Sequence, residues 1–119
     1  MINIRKATIH DVNKLSILLD LYRVFYKQKS NLEAARTFLS ERLTQNDSTI
    51  YLAIDNLGEL LGFVQLYPIF SSTRLKRLWL LNDLYILEKA RGKGISKQLI
   101  AASKNLSLET HACGLILET

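Results

Sequence analysis

The chain has 119 residues, of which 48% are hydrophobic and 23% charged, with a formal net charge of +5. That length suits one folded unit able to bury roughly two-thirds of the surface of its unfolded chain. No apolar run approaches the ~20 residues of a membrane span, Met1-Ile2-Asn3-Ile4 opens no signal-like segment, and the single cysteine, Cys113, excludes an intramolecular disulfide. A cytoplasmic protein without a membrane partner is therefore expected, with Cys113 a buried structural thiol rather than a nucleophile.

In chain order, Ile2 to Ala7 alternates as a first strand. Asp11 suits a helix N-cap, followed by Val12, Leu15, Leu18, Leu19, Tyr22 and Phe25 at helical spacing. Ser30 and Glu33 form a capping-box pattern opening a second helix, with Ala35, Phe38, Leu39 and Leu43 on one stripe. Thr49 to Ile54 and Leu60 to Tyr67 read as strands joined by a hairpin turn at Asp55-Asn56-Leu57-Gly58. Pro68 is expected to end that pairing, and Ser71-Ser72-Thr73 to connect to a long strand from Leu75 to Ile86. Ile95, Leu99, Ala102, Ser103 and Leu106 mark a third helix, and Gly114 to Leu117 begins another strand. A strand-helix-strand crossover of this length implies parallel pairing, so the predicted fold is α/β with a mixed sheet, antiparallel first and parallel at the end.

Between the long strand and the third helix lies Arg91-Gly92-Lys93-Gly94-Ile95-Ser96-Lys97. Two glycines separated by one residue let the backbone turn sharply, and the amides that open a helix, the positive end of its dipole and three cations favour a phosphate. A solvated glycine turn is the bland alternative. A P-loop pattern is absent. The dinucleotide fingerprint is half present at Gly92 and Gly94, with Glu118 at a suggestive distance, but Lys97 holds the third glycine position and Leu87 to Arg91 intervene after the strand.

The run Leu81-Asn82-Asp83-Leu84-Tyr85-Ile86, followed by Arg91 to Ile100, resembles the acetyl-CoA-binding core of the GNAT superfamily of N-acetyltransferases, whose signature is R/Q-x-x-G-x-G/A. Arg91 and Gly94 match, and Ser96 stands where the family usually has Gly or Ala. Tyr22 to Tyr26, Gly62 to Pro68 and Leu78 to Asp83 are similar to a sub-group of small GNAT enzymes, so the resemblance covers nearly the whole chain. It implies a parallel pair of central strands that splays apart at the cofactor site. The cofactor would be acetyl-CoA (CoA), its pantetheine arm along Leu84, Tyr85 and Ile86 and its pyrophosphate on Arg91, Gly92, Lys93, Gly94, Ile95, Ser96 and Lys97. It also implies a family tyrosine after the fifth strand. The chain reaches only Glu118-Thr119, so the resemblance predicts one acetyltransferase domain over residues 1–119, incomplete at the C-terminus and truncated at the fifth strand.

Acetylating an amine requires the neutral nitrogen, which for an alkylammonium costs roughly 4 to 5 kcal/mol at pH 7. A carboxylate, or a water it holds, commonly takes the proton. Where GNAT relatives carry a Glu-Asp pair this chain has Asn82 and Asp83, so Asp83 is the candidate catalytic base, with an ion pair to Arg77 or Lys76 as its competing role. Asn82, Tyr26 and Tyr67 are candidates for substrate binding, both tyrosines also being readable as packing. His10 and His111 have no metal-ligand spacing, so no metal is expected. The implied function is acetyl-CoA-dependent transfer to a primary amine of a small molecule or protein. The alternative is a truncated, catalytically impaired domain that keeps CoA binding or dimerisation. An open edge at Leu115 to Leu117 points to a homodimer. Basic residues are spread along the chain, with clusters only at Arg74, Lys76, Arg77 and at Lys89 to Lys97, which argues against nucleic acid.

Overall fold

The structure, a computed structural model, describes residues 1–117; Glu118, weighed above as a dinucleotide-binding acid, and Thr119 lie outside the described residues. Five strands form one sheet in chain order: β1 (Asn3–Lys6), β2 (Thr49–Ile54), β3 (Leu60–Ser71), β4 (Lys76–Ile86) and β5 (Leu115–Leu117). The first three pairings are antiparallel, and β4 to β5 is parallel. The mixed α/β sheet expected from the crossover is therefore present. Helices α1 (Val12–Phe25) and α2 (Leu32–Gln45) cover one face, and α3 (Ile95–Glu109) covers the other.

Alternation along the strands sorts the core into two layers. Leu15, Leu19, Ala35 and Leu39 of the first two helices meet Ile50, Leu52 and Phe63. On the opposite face Ile95, Leu99 and Leu106 of α3 meet Ala53, Val64, Leu66, Trp79 and Leu81. Each fully buried Leu, Ile or Phe contributes about 1.5 to 3 kcal/mol, so both layers are needed to hold the sheet.

Local signals differ from expectation at four points. The first helix is opened by Thr8 rather than Asp11: a short 3₁₀ turn, Ile9–Asp11, precedes α1, the Thr8 hydroxyl accepts from the His10 amide at 3.3 Å, and the Thr8 amide donates to Asp11 Oδ2 at 2.7 Å. Asp11 is thus the acidic partner of the capping box, bound bidentately by Arg5 at 2.8 and 2.9 Å. Asn31, not Ser30, caps α2, accepting from the Ala34 amide at 3.0 Å, while Ser30 donates to Asp20 at 2.6 Å. The pairing of β2 with β3 stops at Leu66, before Pro68 as expected, but β3 itself does not end at Tyr67: it runs on against β4 to Ser71 opposite Lys76. The register of β2 stops at Leu66, so beyond it one side of β3 has no ladder to satisfy, and the missing N–H of a proline is tolerated there. Finally, β4 starts at Lys76, because Leu75 takes the left-handed φ of 55° inside the hairpin turn.

Two features set up the site. Gly62 faces Ile86, and a Cβ there would lie 2.7 Å from Ile86 Cδ1 and 2.8 Å from the Tyr85 carbonyl oxygen, so only glycine lets β3 close on the end of β4. The second is a bulge. Gln65 pairs with Asp83 and Leu66 with Leu81, which leaves Asn82 as an extra residue in β4.

Candidate functional site

The bulge resets the side-chain alternation of β4. Leu81 packs on the α3 face with Trp79, and an unbroken strand would put Asp83 on that face as well. With Asn82 skipped, Asp83 lies opposite Gln65 on the face of α1 and α2, while Leu84 and Ile86 join the α3 layer. Asn82 and Asp83 then line the same cavity of about 420 Å³ with Tyr22, Gln65 and Tyr67.

Asp83 sits in a polar chain inside an otherwise apolar layer. Gln65, 1% exposed, donates from Nε2 to Asp83 Oδ2 at 3.5 Å and accepts from the Ser48 hydroxyl at 2.9 Å. Asn82 Nδ2 donates to Asp83 Oδ1 at 3.2 Å. Among the described residues Asp83 has no ion pair. Arg77 and Lys76, considered above as its partners, are six and seven residues back along β4, where Arg77 stacks on Phe70 and Trp79 at 5.2 and 5.5 Å. Burial, reinforced by the neighbouring Asp83 carboxylate, pushes the Tyr22 phenol far above its ordinary value. Burial likewise lifts Tyr67 to about 12, Asp83 adding to it. Both phenols are therefore protonated near neutral pH.

The backbone of β4 supplies a second element. The Leu87 amide donates to the Leu61 carbonyl at 2.9 Å, which makes Leu61 and Leu87 a hydrogen-bonded pair. Antiparallel ladders alternate, so the backbone groups of Tyr85 and Asp83 face β3 whereas those of Leu84 and Ile86 face away. On that far side β5 follows β4 only to Leu81 among the described residues. Leu84 thus presents an N–H and a C=O at an open edge. The Ile86 carbonyl is taken by Arg91 Nε at 3.0 Å.

The third element is the turn after β4. A short 3₁₀ turn, Glu88–Ala90, leads into Gly92 (φ 80°) and Gly94 (φ 77°), both in the left-handed region, and a Cβ on either would meet nothing within 4 Å. Gly94 is the N-cap of α3 and its carbonyl accepts from Gln98, but the amides of Lys93 to Lys97 donate to no protein group among the described residues. Those free N–H groups at a 15-residue helix, with no acid in its first turn, favour an anion. Neither Lys93 nor Lys97 is ion-paired among the described residues. The Arg91 guanidinium lies over Phe25 and Tyr85, 5.7 and 5.6 Å from their ring centres, and with Ser96 it borders a cavity of about 230 Å³ running along Leu84, Tyr85 and Ile86.

A third cavity, about 460 Å³, shares walls with both, lined by Asn82, Asp83 and Leu84 together with Tyr22 and Tyr26. Tyr26, the C-cap of α1, borders this third cavity and the glycine-turn cavity rather than the Asp83 cavity, its ring edge-on to Tyr22 at 5.1 Å. Tyr67 lies in the Asp83 cavity alone. The sequence reading missed Tyr22, which borders all three cavities, and Gln65. A phenol within an apolar helical stripe and a lone amide inside the run Phe63-Val64-Gln65-Leu66 were the available signals. Among the described residues no cluster of His, Cys, Asp or Glu could hold a metal ion, and no helix is long and apolar enough to cross a membrane.

This geometry agrees with relationship. The model of the acetyltransferase (GNAT) family matches residues 15–119, and the chain belongs to that family of acyltransferases. It is 43% identical over 117 residues to the "uncharacterized N-acetyltransferase YhfO" of Bacillus subtilis, an alignment covering 98% of this chain and 78% of that protein. A crystal structure of a "probable acetyltransferase" superposes with a TM-score of 0.95 at 42% identity, covering 98% of this chain and 78% of the other. A "predicted acetyltransferase" of Clostridium acetobutylicum solved with acetyl-CoA shares the fold, with a TM-score of 0.83 at 19% identity over 100% of this chain and 81% of the other.

Proposed function

We propose that this protein transfers the acetyl group of acetyl-CoA to a primary amine, with Asp83 as the proton acceptor. The observation that carries the reading is the bulge at Asn82, which turns Asp83 toward one cavity while the next residue, Leu84, offers free backbone at the edge of another.

The donor fits the residues present. The open-space side of two left-handed glycines and the unpaired amides of Lys93 to Lys97 suit a pyrophosphate, with Arg91, Lys93 and Lys97 adding charge. The edge groups of Leu84 and Ile86 suit an amide-bearing arm. Acetyl-CoA supplies an acetyl group activated as a thioester. The acceptor enters the Asp83 cavity as an ammonium; Asp83, or a water it holds, removes one proton, so that the nitrogen lone pair is free to form the N–C bond as the C–S bond breaks, after which the nitrogen gives up a second proton and CoA leaves as a thiolate that takes a proton from solvent. The Leu84 amide is the donor toward the carbonyl oxygen as negative charge grows there. Gln65 and Asn82 hold the carboxylate by its two oxygens, so its orientation does not depend on the substrate.

A cytoplasmic location belongs to the same reading, supported by the free, half-buried Cys113, and so does a homodimer, supported by the exposed Ile116 and Leu117 on β5. Thiol release from acetyl-CoA, with the product identified by mass over a panel of amines, tests the activity. Release that depends on the amine and yields an N-acetyl product is expected; bound CoA with no transfer to any amine would contradict it.

A further inference from the structure

The cavity beside Asp83 contains two charged side chains of opposite sign, Asp83 and Arg23. Arg23 Nη1 donates to the Lys29 carbonyl at 3.1 Å and stands 3.7 Å from Asp20, which fixes the guanidinium at the cavity wall. Asp20 is itself engaged: Oδ2 accepts from the Ser30 hydroxyl at 2.6 Å and Oδ1 from the Asn31 amide at 2.8 Å, tying the two helices together. The remaining nitrogens of Arg23, Nε and Nη2, have no partner among the described residues. Arg42, the other cation nearby, is held by Asp47 at 2.8 Å and lies over the Phe38 ring at 4.9 Å, outside the lining. The rest of the wall is made of amides and phenols and of an apolar set, Leu19, Ala34, Ala35 and Phe38.

We propose that the acceptor is a free α-amino acid with an apolar side chain, its ammonium at Asp83, its carboxylate on the open guanidinium of Arg23 and its side chain against Leu19, Ala35 and Phe38. This rests on the acetyl-transfer reading and specifies its substrate class. A volume of about 420 Å³ lies toward the small end of the ~300–1,000 Å³ of small-molecule sites. The guanidinium fork matches a carboxylate in two hydrogen bonds, whereas a second ammonium would face it with like charge. A polyamine therefore finds one acid and one cation in this cavity, and an amine without a carboxylate leaves Nε and Nη2 of Arg23 without a partner among the described residues. An N-terminal residue of a protein, whose carboxyl is an amide, fails for the same reason.

The test uses matched acceptors with acetyl-CoA: L-leucine against isopentylamine, L-phenylalanine against phenethylamine, and spermidine as the polycation. The amino acid of each pair is expected to show at least a tenfold higher kcat/KM, and Arg23→Gln to bring that ratio close to one. Calorimetric titration of the CoA-loaded protein with L-leucine and isopentylamine reads the same preference without turnover. In the wild-type protein, a decarboxylated amine or spermidine that matches or beats the amino acid overturns the proposal, whether or not the Arg23 variant folds. Transfer to amines without preference for a carboxylate overturns this inference alone; transfer to no acceptor overturns the acetyl-transfer reading and this one with it.

Discussion

Asp83 and Asn82 share one side of the sheet, so the roles of proton acceptor and hydrogen-bond partner separate cleanly by substitution. Asp83→Asn keeps the size and one of the two acceptor oxygens that Gln65 and Asn82 donate to, but cannot accept the amine's proton. Turnover at pH 7 is expected to fall about 10²- to 10⁴-fold, with part of the loss recovered at alkaline pH where more of the amine is neutral. A pH profile parallel to wild type would remove Asp83 from that role. A residue with a structural duty behaves differently. The Asp11 carboxyl is held below its ordinary value, chiefly by hydrogen bonds from Arg5 and also by the Thr8 amide. Its contribution is present above the unfolded carboxyl's pKa and is lost as pH falls through the depressed folded value. Asp11→Asn is expected to cost about 1 kcal/mol at neutral pH, as other cap losses do, and progressively less as the pH falls through the depressed folded value, where wild type becomes protonated as well. Urea unfolding of both proteins across the acid range checks this. At the residue scale the sequence named Asp83 and Asn82 from their resemblance, but their shared face was not legible: a bulge adds a residue without changing composition, and alternation alone puts them on opposite faces.

At the scale of elements, two glycines carry separable predictions. Gly94 caps α3 at φ 77° with open space where a Cβ would point, so Gly94→Ala costs the fold about 1 to 2 kcal/mol in backbone strain and obstructs the anion site. CoA binding by titration calorimetry is expected to weaken at least tenfold in protein whose circular dichroism is native; unchanged affinity would refute the pyrophosphate assignment. Gly62 has no open space, and Gly62→Ala must push β3 from the end of β4. About 1 to 3 kcal/mol of stability should be lost by overpacking, measurable as a lower urea midpoint. The glycine turn was readable because its chemistry is local, a spacing of two glycines before a helical stripe. Caps and strand ends were less so: Thr8 and Asn31 replace Asp11 and Ser30 because neighbouring side chains, Arg5 and Asp20, decide which oxygen is free to cap. Pro68 does mark the end of the pairing with β2, but the continuation of β3 to Ser71 was not legible, because it depends on a ladder with β4 on the other side of the strand.

Across the whole molecule, the sheet places its two chemical ends on one path: the glycine turn opening α3, the edge backbone of Leu84 and Ile86, then Asp83, which the adjacent bulge at Asn82 turns to the α1 and α2 face. Helical and strand periodicity made the layer order legible, since each core residue of α1, α2 and α3 follows its apolar stripe. The cavities were not legible, because they arise where Tyr22 from α1 meets β4, a contact between segments some sixty residues apart. Addition of acetyl-CoA to ¹⁵N-labelled protein, followed by amide shifts in solution, measures this path directly. The largest shifts are expected at Lys93 to Lys97 and at Leu84 to Ile86, with smaller ones at Asn82 and Asp83. Shifts confined to the basic hairpin around Arg74 to Arg77, or none at saturating acetyl-CoA, would contradict the assignment of this cleft as the donor site.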